Sequence, residues 1–260
     1  MTLRPSLAAL LLTACPASQA VELRFEAQVE GAPLACDAPQ RLADGRQVEL
    51  VDLRFFVHAV ELEDADGKRV PVTLDGDAHQ QADVALVDLA TDGGSCRNSS
   101  AALHPTVRGS APAGDYWRVH FTIGVPFAAN HADPIHAQGP LAALSMHWGW
   151  QGGYKFLRAD LRIDGAPHSV HVGSTGCAGE IGAIAGCRRS NRAEAAALLH
   201  GSRAAVALEL APMLAPTPAD TVPGCMAEPG DPGCVPVFSA MGLNLVTGAP
   251  AHASPVFRAR

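Results

Sequence analysis

Alternating hydrophobic and polar residues mark several segments of the chain as β-strands. In residues 21–30 the apolar side chains occupy every second position and polar ones fill the gaps, and residues 116–125 repeat the pattern. A period of two places all the apolar side chains on one face, which is typical of a strand with one buried face. Residues 206–210 show a shorter stretch of the same alternation.

Two further segments predict hairpins. Residues 53–62 are more evenly apolar, as in a central strand, and Asp66-Gly67 follows them as a turn signal. Residues 154–163 and 169–172 flank a second turn at 164–167. Short helices are predicted only at 192–200 and 237–243. We therefore expect a mostly β chain, forming a single antiparallel β-sandwich or barrel-like domain with long loops.

The first twenty residues predict a signal peptide. Arg4 supplies a positive charge, residues 7–14 are mostly apolar, and Ser18-Gln19-Ala20 resembles a cleavage site. A competing interpretation reads residues 12–15 as a lipobox, with lipid on Cys15. Because strand-like sequence begins at Val21 and leaves almost no tether, cleavage after Ala20 is favoured. We expect an exported, periplasmic protein whose single domain spans residues 21–260.

Composition and motifs exclude several classes of function. The formal net charge is -7 and no cluster of Lys and Arg is present, which argues against a nucleic acid or an anionic lipid as partner. No segment after the leader is long and apolar enough to predict a transmembrane helix. The sequence also lacks the G-x-S-x-G, H-E-x-x-H and P-loop motifs.

Cysteine and histidine are the residues with the most chemistry to offer. Six cysteines remain after the leader, an even number that predicts disulfides in an oxidising compartment. We expect two local clasps and one long-range bridge, namely Cys177–Cys187, Cys225–Cys234 and Cys36–Cys96. The alternative is a thiolate site for a soft metal. Eleven histidines are present, and imidazole clusters outside the cytoplasm commonly bind copper or zinc.

The segment around Trp148-Gly149-Trp150 is unusual. Two tryptophans two positions apart share one face of a strand, which by itself indicates a pair of core aromatics. The glycine between them weakens a strand and argues mildly against that interpretation.

The chain resembles the MbnP-like family of the metallo-mystery pair, which are envelope copper proteins with a Cys-rich signature. The resemblance covers nearly the whole mature chain and rests on ordered strings at residues 52–57, 124–127 with 130–131, 148–151 leading into 153–156, 171–177, and 225–226 with 231–234. Taken singly these strings are weak, but their order and spacing are specific.

The resemblance implies a function in copper homeostasis, storage or delivery, without enzymatic activity. It implies that Trp148 is oxidised to kynurenine by a diheme, MauG-like cytochrome c peroxidase and then helps to hold one Cu(I) ion. Intact indole offers no lone pair to a metal, whereas the opened ring carries an amine that does. Trp150 would pack nearby or relay electrons.

The histidine ligands are chosen partly by the same resemblance. His131 and His171 lie in the matching strings and are the first choice, whereas His58 and His147 are weaker candidates. Met146 is a further soft donor, although a core methionine is the plainer interpretation. A straight strand would separate His171 from Trp148 by roughly 33 Å. The site therefore requires residues 151–153 to bend the chain back.

Two other functions stay open. An exported β-sandwich binding or adhesion module would use Trp148 and Trp150 as an exposed recognition surface, without metal. A copper oxidoreductase would need an open coordination position and a substrate pocket, and no motif indicates either.

Overall fold

The computed structural model describes residues 17–97, 99–180, 182–217 and 223–260. The strands in these residues are β1 Ser18–Val29, β2 Ala32–Pro33, β3 Gln40–Arg41, β4 Gln47–Asp64, β5 Arg69–Pro71, β6 Thr73–Leu74, β7 Gln80–Gln81, β8 Val84–Asp88, β9 Thr106–Pro112, β10 Tyr116–Ile123, β11 His147–Gly149, β12 Gly153–Ile163, β13 Ala166–Gly173, β14 Thr175–Glu180, β15 Ala183–Arg189, β16 Ala193–Leu198, β17 Arg203–Glu209, β18 Gly224–Cys225 and β19 Phe257–Ala259.

Helices are few and short. The two α-helices are α1 Phe127–Asn130 and α2 Cys234–Ala240, and single 3-10 turns occupy Pro134–His136, Gly139–Ala142, Leu144–Met146 and Ala211–Leu214. No helix within the described ranges has the length and apolar character needed to cross a membrane.

Two sheets pack face to face around one core. The smaller sheet has the strand order β19-β17-β1-β9-β6, and the larger sheet follows β16-β10-β4-β12-β13-β18 with several short strands attached to it. Phe25 of β1 meets Phe55 of β4 and Phe121 of β10 edge to face, with ring centroids 5.3 and 5.5 Å apart. The predicted β-rich sandwich is therefore confirmed.

Most strand pairs are antiparallel, as predicted, but β1 pairs with β17 and β13 pairs with β18 in parallel. The predicted helix at 192–200 is wrong, because β16 Ala193–Leu198 is a strand at the edge of the larger sheet. Its buried residues are Ala193, Ala195 and Ala197. Alternating burial of these small side chains against the core outweighs the high helix propensity of alanine. The predicted helix at 237–243 begins three residues earlier, at Cys234.

All three predicted disulfides form: Cys36–Cys96, Cys177–Cys187 and Cys225–Cys234. Arg4, the apolar run and Cys15 lie outside the described residues. Ser18 to Ala20, which precede the predicted cleavage position, form the first residues of β1 and pair with β9. Cleavage there stays a prediction.

The outer face of the larger sheet is covered by residues 126–149, here called the covering segment. Arg54 of β4 donates to Ser145 Oγ at 2.8 Å, and Lys155 of β12 donates to the Ser145 carbonyl at 3.0 Å. The Tyr154 hydroxyl donates to the Leu141 carbonyl at 2.8 Å. These bonds fasten the covering segment to β4 and β12 and hold Trp148, at its end, against the sheet.

Candidate metal centre

The chain bends back at residues 150–152, close to the bend that the proposed site required at residues 151–153. Strand β11 pairs antiparallel with β12, with His147 opposite Tyr154 and Gly149 opposite Gly153. The turn between them is formed by Trp150, Gln151 and Gly152. Trp148 is thereby returned to the end of β12 instead of extending away from it.

Trp148 lies against a glycine at the end of β13. A Cβ atom placed on Gly173 would approach Cε3 of Trp148 to 3.2 Å and the Tyr154 carbonyl oxygen to 2.7 Å. The six-membered ring of the indole therefore occupies the space that a side chain at position 173 would take. Trp148 is partly buried and packs against the inter-sheet core, whereas Trp150 is 42% exposed. The two tryptophans therefore do not form one exposed surface.

His171 stands beside Trp148. The two rings meet edge to face, with centroids 6.4 Å apart. Nε2 of His171 lies 2.8 Å from Asp160 Oδ1 on the neighbouring strand. Burial opposes ionisation of Asp160, but hydrogen bonds from His171, Ser169 and Arg158 outweigh it and hold the pKa of the carboxyl below its ordinary value. In the neutral tautomer that donates to the ionised Asp160, the proton of His171 is on Nε2 and the lone pair is on Nδ1.

Asn130 joins the covering segment to the β11–β12 turn. Its side-chain amide donates to the Gly152 carbonyl at 3.0 Å, and its oxygen accepts from the Tyr154 amide at 2.8 Å. Gly153, at φ 75°, has no room for a Cβ, which would come within 2.3 Å of the Asn130 carbonyl oxygen. Asn130 therefore sets the position of its neighbour, His131, relative to the turn.

His131 contacts the disulfide of the β14–β15 hairpin. Its Nε2 atom lies 3.3 Å from Cys187 Sγ and 3.1 Å from the Asn130 amide nitrogen. Nδ1 is buried and has no hydrogen-bond partner among the described residues. Burial lowers the pKa of His131, and the nearby Arg192 lowers it further. A neutral imidazole is the form that binds copper.

A cavity of about 350 Å³ adjoins Trp148. It is lined by residues 148–152, residues 174–177 and Glu228, and so Trp148, Trp150 and Cys177 share one space. Ligand atoms of His131, Cys177 and Cys187 all lie within 4.8 Å of one another. Because the two sulfurs are bonded to each other, this state offers no thiolate to a metal.

The weaker candidates lie elsewhere. The His147 ring packs edge-on against Tyr154, 5.1 Å between centroids, and lines a separate apolar pocket with Pro134 and Leu144. His58 lies on the outer face of β4, opposite Val84 and Thr122. Burial lowers the pKa of His58 to about 4; the charge of Asp83 raises this pKa and that of Arg192 lowers it. Met146 is fully buried in the cluster with Phe56 and Phe156, as a core methionine would be.

Sequence reasoning missed three residues that shape the site. Asp160 orients His171, Asn130 ties the covering segment to the turn, and Glu228 reaches the cavity from the loop after β18. Asp160 carried a weak signal, since it is a carboxylate on the outward positions of an apolar strand. Asn130 lies in one of the strings that resemble the family but was given no role there, and nothing local in the sequence distinguished Glu228.

The donor set fits a soft or borderline cation. His171 offers Nδ1 with a carboxylate holding its other nitrogen, an arrangement typical of metal-binding histidines. His131 stays neutral in a partly buried position, and intact Trp148 contributes no lone pair. The geometry therefore joins Trp148 directly to His171, and links His131 to them through Asn130 and the disulfide.

Comparison with known proteins agrees with this architecture. Residues 18–227 match the model of the MbnP family. MbnP from Methylosinus trichosporium has a similar structure, with a TM-score of 0.80 and 29% sequence identity over 93% of this chain and 98% of that chain. No curated protein matches the sequence significantly. The resemblance seen in the sequence is confirmed, and the chain belongs to the MbnP family.

Proposed function

We propose that this chain is a periplasmic copper-binding protein that holds one Cu(I) ion beside Trp148 after that residue has been oxidised to kynurenine. The observation that carries the proposal is the pair formed by Trp148 and His171, whose ring centroids are 6.4 Å apart. Trp148 also lines a cavity. The family membership supports the link to copper. The protein would act in copper storage, delivery or homeostasis and would not be an enzyme.

The oxidation needs a partner, which we propose is a diheme MauG-like cytochrome c peroxidase. Each of two hydrogen peroxide molecules gives one oxygen atom to the indole and is reduced to water. The two oxygen atoms are added as the C2–C3 bond of the indole breaks. Hydrolysis of the resulting N-formyl group consumes one water and releases formate. The product has gained one oxygen atom and lost one carbon atom, and it carries a free arylamine.

The residues of this chain would hold and orient the ion. The hydrogen bond to Asp160 would keep the proton on Nε2 of His171, and Nδ1 would then be the atom available to hold the ion. Gly173 leaves the space in which the Trp148 ring lies. His131 would complete the ligand set from the covering segment. Bound copper supplies a soft cationic centre, and the three disulfides suit an oxidising compartment.

The test combines peptide mass spectrometry with metal analysis. Coexpression with the diheme peroxidase is expected to convert Trp148 with the mass change of one carbon lost and one oxygen gained, and to yield one tightly bound copper ion. Trp148→Phe should weaken copper binding by more than about 100-fold, since even an outer-shell partner costs 10- to 100-fold. Trp117→Phe is the matched control, because Trp117 is exposed on β10.

Unmodified Trp148 in a chain that still binds copper at full strength would overturn the kynurenine part. Absence of stoichiometric copper would favour the metal-free recognition module, although the inward packing of Trp148 speaks against it. Turnover of a substrate by the copper-loaded chain would identify an oxidoreductase instead.

A further inference from the structure

One disulfide differs from the other two in its access to solvent. Cys225 and Cys234 are both buried. In the Cys36–Cys96 bridge, Cys96 is fully buried. Cys177 and Cys187 are both partly exposed, on the two-stranded hairpin β14–β15. Thiol–disulfide exchange requires an attacking group to reach a sulfur atom. A reductant should therefore open Cys177–Cys187 before the other two.

The hairpin would keep the two sulfurs together after reduction. Cys177 and Cys187 are directly opposite each other in the β14–β15 register. The backbone ladder on either side of them runs from Thr175, opposite Arg189, to Glu180, opposite Ala183. These hydrogen bonds do not depend on the S–S bond. Opening it therefore leaves two thiols facing the same side of the hairpin.

His131 supplies a third donor at the same point. Its Nε2 atom is 3.3 Å from Cys187 Sγ, and the ligand atoms of all three residues lie within 4.8 Å of one another. Its buried Nδ1 atom has no partner within the part of the chain that the structure describes. Two thiolates and one imidazole form a soft ligand set that favours Cu(I).

We propose that Cys177–Cys187 is a redox-gated ligand pair, which in the reduced state binds a Cu(I) ion together with His131. A dithiol donates two electrons and two protons to the bridge, is itself oxidised to a disulfide, and leaves Cys177 and Cys187 as thiols. Binding of Cu(I) then displaces the thiol protons. This site uses sulfur ligands, does not depend on oxidation of Trp148, and takes His131 as an alternative to the site at Trp148.

The test uses the full-length chain produced without the peroxidase, so that Trp148 is intact, in forms with the disulfide oxidised and reduced. A water-soluble phosphine opens the exposed disulfide, with water supplying the oxygen of the phosphine oxide and the two thiol protons. After removal of the phosphine without air, the chain is titrated with Cu(I) against a chromophoric chelator. We expect one additional Cu(I) ion per reduced chain, with ultraviolet thiolate-to-copper absorption. Bound Cu(I) should slow alkylation of Cys177 and Cys187, which requires no substitution to measure.

Variants separate this site from the one containing Trp148. Trp148→Phe is expected to retain the reduction-dependent ion, whereas the double variant Cys177→Ser with Cys187→Ser should lose it. His131→Leu should weaken it by at least about tenfold. The matched control, Cys225→Ser with Cys234→Ser, should keep it. The proposal is overturned if mild reduction opens a buried disulfide first, if no additional Cu(I) binds, or if the additional ion disappears with Trp148.

Discussion

The two faces of strand β4 are built on different principles. Toward the smaller sheet the strand presents Leu53, Phe55 and Val57, all fully buried in the inter-sheet core. Toward the covering segment it presents Asp52 and Arg54, also buried but charged. The inner face is stabilised by removal of apolar surface from water, which needs no particular partner. The outer face also carries the apolar Phe56, but its buried charges are tolerated only because each has a partner.

The partners on the outer face form a connected network. Arg54 lies 3.1 Å from Asp52 and 3.0 Å from Asp88, while Arg158 bridges Asp52 and Asp160 at 3.1 and 2.7 Å. Burial raises the pKa of Asp52, and the two arginines oppose that shift. The network continues from Asp160 to His171. The candidate metal centre therefore lies on the face where ion pairs already hold polar side chains, including His171, in fixed positions.

The largest effect is expected on the inner face. Phe55→Ala removes a ring that meets Phe25 and Phe257 at centroid distances of 5.3 and 5.5 Å. The cavity and the lost apolar burial should lower the free energy of unfolding by about 3–5 kcal/mol. Denaturant unfolding measures it, with the exposed Val246→Ala as a control expected within about 0.5 kcal/mol. Equal losses in the two variants would show that the inner face is not the main source of stability.

On the outer face, Arg54→Met removes the arginine that pairs with buried Asp88 and leaves Asp52 paired with Arg158 alone. We expect a loss of about 3 kcal/mol near neutral pH, since breaking a buried pair strands a charge. The pKa of Asp52, already raised by burial, should rise further. The folded state then takes up a proton before the unfolded chain does. The deficit relative to wild type should therefore shrink as the pH falls.

Urea unfolding near neutral pH and near pH 5 measures this difference. The matched control is Arg69→Met, since Arg69 forms exposed pairs with Glu61 and Glu63, and such pairs contribute at most about 1 kcal/mol. A deficit for Arg54→Met that does not change with pH would mean that packing, and not charge, is what the arginine contributes.

His58 should make the outer face sensitive to acid. Its pKa of about 4 in the folded chain lies below the unfolded value of 6.5, so acid favours the unfolded state. The free energy of unfolding should fall as the pH drops below the pKa of His58 in the unfolded chain. It should level off below the pKa of His58 in the folded chain. Linkage gives a loss of about 2 kcal/mol by about pH 5.

His58→Leu should remove most of that loss when the copper-free chain is unfolded across this range. His200→Leu, at an exposed position after β16, is the matched control and should retain it. If His58→Leu loses as much stability at low pH as the wild type does, a group other than His58 is responsible.

The inner face was predictable from the sequence and the outer face was not. Alternation in residues 21–30 and 116–125 identified β1 and β10 because one side of each strand is apolar. The even cysteine count predicted disulfides, and the expected pairing is confirmed, although six cysteines allow fifteen pairings and the sequence alone does not fix one. The stretch 192–200 was misassigned because its alanines carry a strong local helix preference, and only the core makes them alternate. Asp160 and Asn130 act across sheet and turn, and contacts between distant segments leave no local pattern.

The Asn130 clamp has a consequence for the order of events during folding. It joins residue 130 to the backbone of residues 152 and 154, and Trp148 reaches Gly173 and His171 only once β12 and β13 have paired. The Asn130 bonds span 22 and 24 residues, and so they need the β11–β12 turn to be in place. An oxidant that recognises the assembled surroundings of Trp148 would therefore act on mature molecules and spare nascent chains. Oxidised Trp148 would then be found only in chains that have completed folding.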